Sequence, residues 1–209
     1  MIKVLLKLWF KHIRDHTVLY VITIFMFLVG SSLGAYTVNT LNTFQLQELA
    51  NYFNYFLAGL TYWNVNSVIV AQDAILNSLT FIFLAWALGL TVIGIPIILL
   101  IVAFKGFIMG FTVGFLVLQK GFTGMLIAIL SVLPQNFLYV PSLIVCAVVA
   151  ITFSLCLVRG TKGGRKLSFS HMFISYILLL LVFCFFTIIG GLIEGYIAPL
   201  TMQIIITYF

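Results

Sequence analysis

Residues 124–158 read GMLIAILSVLPQNFLYVPSLIVCAVVAITFSLCLV, and the polar stretch RGTKGGRK follows at 159–166. A bilayer core about 30 Å thick is crossed by about 20 mostly apolar residues in a helix. The apolar run of 35 residues is therefore too long for one straight crossing, and Pro134-Gln135-Asn136 and Pro141 lie inside it. By itself it is either one interrupted crossing or a hairpin of two. The charges around it decide between these. Arg159, Lys162, Arg165 and Lys166 form one basic block, and Lys3, Lys7, Lys11 and Arg14 form another. Basic clusters beside spans stay in the cytoplasm, so an even number of crossings must separate the two blocks. Other apolar runs lie near 17–36, 75–93, 97–118 and 171–193. An interrupted fourth span gives four crossings between the blocks and a hairpin gives five, so the interrupted reading is preferred. The expected fold is an all-α polytopic membrane protein. It has five transmembrane helices, the fourth interrupted at Pro134-Gln135-Asn136, and an outer amphipathic helix. The N-terminus lies inside and the C-terminus outside.

Composition carries the same message. Of 209 residues 64% are hydrophobic and only 7% charged, against about 25% charged in ordinary globular chains. The polar surface is too small to cover a water-soluble particle, so lipid must solvate most of it, and residues 1–209 make one integral membrane domain. A net charge of +6 is of the sign that nucleic acid attracts. However, no Lys or Arg occurs between Arg14 and Lys105, which is a topogenic asymmetry and not a phosphate-binding face. Cys146, Cys156 and Cys184 sit in apolar runs without a Cys-x-x-Cys spacing. They predict packing residues, with no metal and no cofactor. Ser31, Ser32, Gly34 and Ala35 after the first apolar core allow a cleaved signal peptide. Cleavage would remove the crossing that puts both basic blocks on one side, so a retained anchor fits better.

Residues 1–16 and 159–170 are thus expected in the cytoplasm, and 37–74 and 195–209 outside. Within 37–74, Leu46, Leu49, Phe53, Phe56 and Leu60 recur at steps of three and four. Gln45, Gln47, Glu48, Asn51 and Asn54 fill the other side, which predicts an amphipathic helix. Asn42 is its candidate N-cap, with Gln45 three residues on as a weak capping box. This helix either lies in the outer headgroup layer, anchored by Tyr52, Tyr55, Tyr62 and Trp63, or offers its apolar face to a partner helix. Glu194, the single acid of the C-terminal half, either marks the membrane boundary or contacts a neighbouring subunit. The apolar tail is expected to pack on the outer surface or dip into the interface.

Inside the spans, Lys105 stands about 12 Å above the inner edge at 1.5 Å per residue. A cation at a helix centre costs about 2.5–3.5 kcal/mol on insertion scales. Lys105 is therefore expected to face the bundle interior or a wet crevice, or else to snorkel. Gly106, Gly110 and Gly114 follow at steps of four, and the pairs Gly30/Gly34 and Gly191/Gly195 repeat that spacing. Such ridges bring helix backbones together in lipid, within one chain or across a homodimer seam. At Pro134-Gln135-Asn136, proline removes a backbone donor. Non-helical backbone at membrane depth survives only where protein or water satisfies it. Gln135 and Asn136 carry the groups to do so.

Several of these residues also carry a family likeness. The run from Phe104 to Val117 (FKGFIMGFTVGFLV), with Ser131-Val132-Leu133-Pro134-Gln135-Asn136, resembles stage II sporulation protein M of endospore-forming bacteria. The start His12-x-x-Asp15-His16 and the ending Glu194-Gly195-Tyr196-x-x-Pro199 are similar too. The resemblance covers essentially the whole chain. It implies five spans and a non-catalytic role in the cell membrane at the sporulation septum. There the family anchors a peptidoglycan lytic transglycosylase and a peptidoglycan amidase or endopeptidase, for septal wall thinning and forespore engulfment. The wider superfamily often looks like Pro-His-Gly with a Glu just before the second proline. This chain has Gln135, Asn136 and Tyr139 at the matching positions, which removes an intramembrane carboxylate and weakens a proton-relay reading.

An enzyme would need a nucleophile with its base, paired acids or a metal cluster. The spans hold no pair of acids, no His-Glu-x-x-His and no Gly-x-Ser-x-Gly. Transport of a small solute or ion through the interrupted span is the alternative. Against it stand the lack of an evident internal repeat and of membrane-embedded acids. The expected role is a scaffold, pairing as a homodimer through its glycines and holding the hydrolases by its outer helix and tail.

Overall fold

A computed structural model describes residues 14–62, 67–91, 93–159 and 169–208. Among them there is no strand. Helix α1 spans Thr17–Thr40, α2 Thr43–Tyr62, α3 Ser67–Gly89 and α4 Gly94–Ile127. A five-residue π-helical turn, Ala128–Val132, leads into α5, Leu133–Arg159, and α6 spans Phe169–Tyr208. Four helices are long and apolar enough to cross a membrane: Thr17–Thr40, Ser67–Gly89, the continuous run Gly94–Leu157, and Tyr176–Thr201.

The continuous run is not straight. Gly121 has φ 56° and ψ −126°, a backbone state that L side chains resist and glycine accepts. The chain reverses there. A Cβ added to Gly124 would land on the carbonyl oxygen of Leu116, whereas eight residues of unbroken helix would separate the two by about 12 Å. Ile127 and Ala128 accordingly bury themselves against Leu116. The run is thus a helical hairpin, with α4 up to Lys120 as one arm and the π turn and α5 in the other.

Helix directions follow from which glycines meet which residues. Gly30 meets Ala103, Gly34 meets Phe107, Gly110 meets Ser31 and Gly114 meets Ala35. The two numbers rise together, so α1 and α4 are parallel. Gly191 meets Ile75 and Gly195 meets Ala71, so α3 and α6 are antiparallel. The start of α1, the end of α3 and the start of α4 therefore share one end of the bundle with the end of α5 and the start of α6. There the Ser154 hydroxyl donates to the Thr91 carbonyl at 2.9 Å and the Tyr176 hydroxyl to the Trp86 carbonyl at 3.0 Å. Arg14 and Arg159 lie at that same end; the other basic residues of the two blocks lie outside the described residues.

The core is built around α5. Leu143, Val145 to Ile151 and Phe153 are all buried. A helix apolar on every side belongs in the middle of a bundle. The Phe153 and Tyr176 rings stack 4.6 Å apart at an interplanar angle of 2°. The outer faces of α1, α3, α4 and α6 expose large apolar side chains such as Phe25, Phe83, Phe104 and Phe185, which lipid can cover at little cost.

Three boundaries differ from the expected ones. Helix α3 begins at Ser67 and not near 75, because Val68, Ile69 and Val70 extend its apolar face and Ala71 packs on Gly195. Gln72 and Asp73 lie within the helix, both exposed. Helix α6 does not stop near 193 but continues to Tyr208, taking in Pro199 and most of the expected outer tail. Pro134-Gln135-Asn136 is not a break either: all three residues are helical, and the irregularity is the π turn just before them.

Candidate functional site

Proline at 134 has no N–H to offer the carbonyl of Leu130, four residues earlier. Three side chains repair the ladder around it. The Thr201 hydroxyl of α6 lies 3.4 Å from the Leu130 oxygen, 2.9 Å from the Ala198 oxygen and 3.0 Å from the Ser131 hydroxyl. The Gln135 amide donates to the Ser131 carbonyl, and the Asn136 amide donates to the Val132 carbonyl at 2.7 Å. The wider π turn gives the proline ring room, since Leu133 N–H bonds to Ala128 five residues back. Thr201→Val keeps the shape and removes the hydroxyl. We expect a loss of about 1–2 kcal/mol, read as a melting temperature lower by several degrees in detergent. An unchanged melting temperature would show that Thr201 does not hold this turn.

Beside the repaired turn is a crevice of about 360 Å³ between α3, α4, α5 and α6. Its polar lining is Asn77, Lys105, Thr112, Ser131, Gln135, Asn136, Tyr139 and Glu194. Lys105 is placed by its neighbour: Gly106 lies against Phe27 of α1, which turns position 105 toward α3. Its ammonium sits 4.8 Å from the centroid of the Phe81 ring, a cation–π contact worth up to about 2 kcal/mol when desolvated. Glu194 is half-buried and lines the same crevice from α6, on the side of Ala198 and Pro199. The Tyr139 hydroxyl lies toward Ser78 and Glu194. Gln135 and Tyr139 are 6% and 7% exposed, and Gln135 Oε1 makes no hydrogen bond. Buried polar atoms rarely stay single.

The structure thus joins Lys105, Pro134, Gln135 and Asn136 at one place and adds Glu194 to them. Glu194, half-buried, lines this interior crevice. Phe81, Asn77, Tyr139 and Thr201 complete the site without a local signal in the sequence; only the antiparallel pairing of α6 with α3 and α5 brings them there.

The other candidate residues go elsewhere. All seven glycines of the expected seam, Gly30, Gly34, Gly106, Gly110, Gly114, Gly191 and Gly195, pack against residues of the same chain. They close α1 on α4 and α3 on α6 within one chain. Helix α2 is capped at Asn42, whose N–H is held by Gln45 Oε1 at 3.1 Å. Its apolar face folds onto its own bundle: Ala50 is buried, Leu46 and Leu49 are half-buried, and Phe53 meets the Phe115 ring edge-on at 5.9 Å. Phe53 is therefore not free for a partner. The side chains of Phe56 and Leu60 lie outside the described residues. What α2 turns outward is Phe44, Tyr52 and Tyr55, each more than 70% exposed, with Gln47, Glu48, Asn51 and Asn54.

Among the described residues no three His, Cys, Asp or Glu side chains are placed to hold a metal ion. No curated protein and no solved structure matches the chain. One family model does, Stage II sporulation protein M, over residues 23–199. That range takes in the glycine contacts of α1 with α4, the π turn and the crevice as far as Pro199. The chain therefore belongs to the Stage II sporulation protein M family and is a sporulation-related membrane protein.

Proposed function

We propose that this chain is a non-catalytic membrane scaffold that anchors a peptidoglycan lytic transglycosylase and a peptidoglycan amidase or endopeptidase at the sporulation septum, for wall thinning and engulfment. It crosses the membrane five times, with the hairpin at Gly121 supplying two crossings. The N-terminus then lies in the cytoplasm beside Arg159. Chemistry on the wall is left to the partners.

The observation that carries this reading is the mounting of α2. Phe53 and Ala50 lock the helix onto the end of the bundle opposite Arg14. Phe44, Tyr52 and Tyr55 then face outward, each more than 70% exposed. Aromatic side chains with a polar tip are the residues that interfaces favour. In this reading the membrane-proximal segments of the wall enzymes dock on these side chains.

The test is co-purification from mild detergent. Wild-type protein should bring both hydrolases with it. The pair Tyr52→Ser and Tyr55→Ser should lower their recovery about tenfold or more, as loss of aromatic anchors does at interfaces, while leaving membrane insertion unchanged. Recovery of neither hydrolase with the wild type would overturn the scaffold reading. Unchanged recovery with the double variant would move the docking surface off α2.

A further inference from the structure

The crevice beside the π turn is more than a packing fault. Cavities that stay empty are apolar; this one has about 360 Å³ and eight polar side chains on its wall. That volume is within the range of small-molecule sites. Gln135 Oε1 can only accept a hydrogen bond, and the Tyr139 hydroxyl can donate or accept. Both residues are nine-tenths buried or more and border this space; Gln135 Oε1 has no partner, and the Tyr139 hydroxyl lies toward Ser78 and Glu194. Water alone could serve Gln135 Oε1, but it offers no opposite charge to Lys105 or to Glu194. Lys105 brings a cation from α4 and Glu194 a carboxylate from α6, and the cation rests on the Phe81 ring and not on the acid.

Charge bookkeeping narrows the ligand. In a medium of low dielectric an uncompensated charge is expensive. A bare anion at Lys105 would leave Glu194 unmatched and add net charge to the bundle. A bare cation at Glu194 would do the reverse. A ligand with both charges leaves the site neutral and matches each wall. Its ammonium can also donate to Gln135 Oε1.

We infer that the crevice between α3, α4, α5 and α6 is a binding site for a zwitterionic group, with the anion toward Lys105 and the ammonium toward Glu194 and Gln135. Two sources carry that chemistry: a free amino acid or short peptide, and the phosphoethanolamine head of a phospholipid. The site is independent of the scaffold reading, since α2 takes no part in it.

The test uses the purified full chain in nanodiscs of phosphatidylglycerol alone, so that no zwitterionic lipid is present. Glycylglycine is added and binding is read by equilibrium dialysis. In a second arm phosphatidylethanolamine is mixed into the discs and its retention is read by native mass spectrometry. Binding in the first arm supports the site with a soluble ligand, and selective retention in the second supports it with a lipid. In either case acetate and methylamine, which carry one charge each, should bind at least tenfold more weakly than the zwitterion. That comparison needs no variant. Lys105→Met and Glu194→Gln should each lower zwitterion binding tenfold or more, with the melting temperature of the empty protein kept as the check on folding. No binding in either arm, or equal binding of the half-ligands, would overturn the inference.

Discussion

Gly110→Leu should abolish the folded protein. A Cβ at this position falls on the carbonyl oxygen of Ser31, which is backbone, so no side chain can swing aside to admit it. Overpacking commonly costs 1–3 kcal/mol where neighbours can adjust; with two helix backbones in contact the cost should exceed about 3 kcal/mol. Native stabilities of about 5–15 kcal/mol leave little margin for that. The measurement is the monodisperse fraction after detergent extraction, and the expectation is a fall to less than about a tenth of wild type. The neighbouring positions make a graded series. Gly34→Ala meets the Phe107 carbonyl and should also be severe. Gly114→Ala finds its nearest atom, Ala35 Cα, at 3.1 Å. Its strain should be small and offset by the better helix propensity of alanine, a gain of up to about 1 kcal/mol. If Gly110→Leu stays folded but loses only a dimer, the glycines face a second chain and the α1–α4 contact is wrong.

That contrast marks how far the sequence could be read. The spacing of Gly106, Gly110 and Gly114 announces a close helix contact, because nothing else explains three missing side chains on one stripe. It cannot announce the partner, since Gly30 and Gly34 of the same chain and a second copy offer the same surface. The two basic blocks, with Gln119-Lys120-Gly121 as the gap between apolar runs, suffice for an expected course of the chain, because charge placement is a local property. Pro134 misleads for the opposite reason. A proline in an apolar run predicts a break when only its own helix is considered, but the hydroxyl that serves the Leu130 carbonyl comes from Thr201, far along the chain. The face of α2 misleads in a related way. Leu46, Leu49 and Phe53 are legible as an apolar stripe, and the stripe is used, but by the Phe115 end of its own bundle. Periodicity reports that a face is buried and is silent on what buries it.

Gly121→Val carries the second large effect, and it acts without any collision. Nothing lies within 4 Å of a Cβ built there, so the side chain has room. What it lacks is an acceptable backbone, for φ 56° with ψ −126° is the first central position of a type II′ turn, which glycine dominates. Strained conformations of this kind cost about 1–3 kcal/mol, and a β-branched residue belongs at the top of that range. Gly121→Ala should cost less, and both should leave the α1–α4 contact intact, which separates this loss from the one at Gly110. The turn also decides how many times the run Gly94–Leu157 crosses the membrane. If the chain reverses at Gly121, Gln119→Cys should react from outside intact cells with a maleimide that cannot cross the membrane. Leu90→Cys, at the opposite end of the bundle, should react only after permeabilisation. Equal labelling of the two, or the reverse pattern, would remove the hairpin from the membrane and the fifth crossing with it. A Gly121→Val protein as stable as wild type would show that the chain passes this point in an ordinary helical conformation, and the parity that puts both basic blocks on one side would then need another turn.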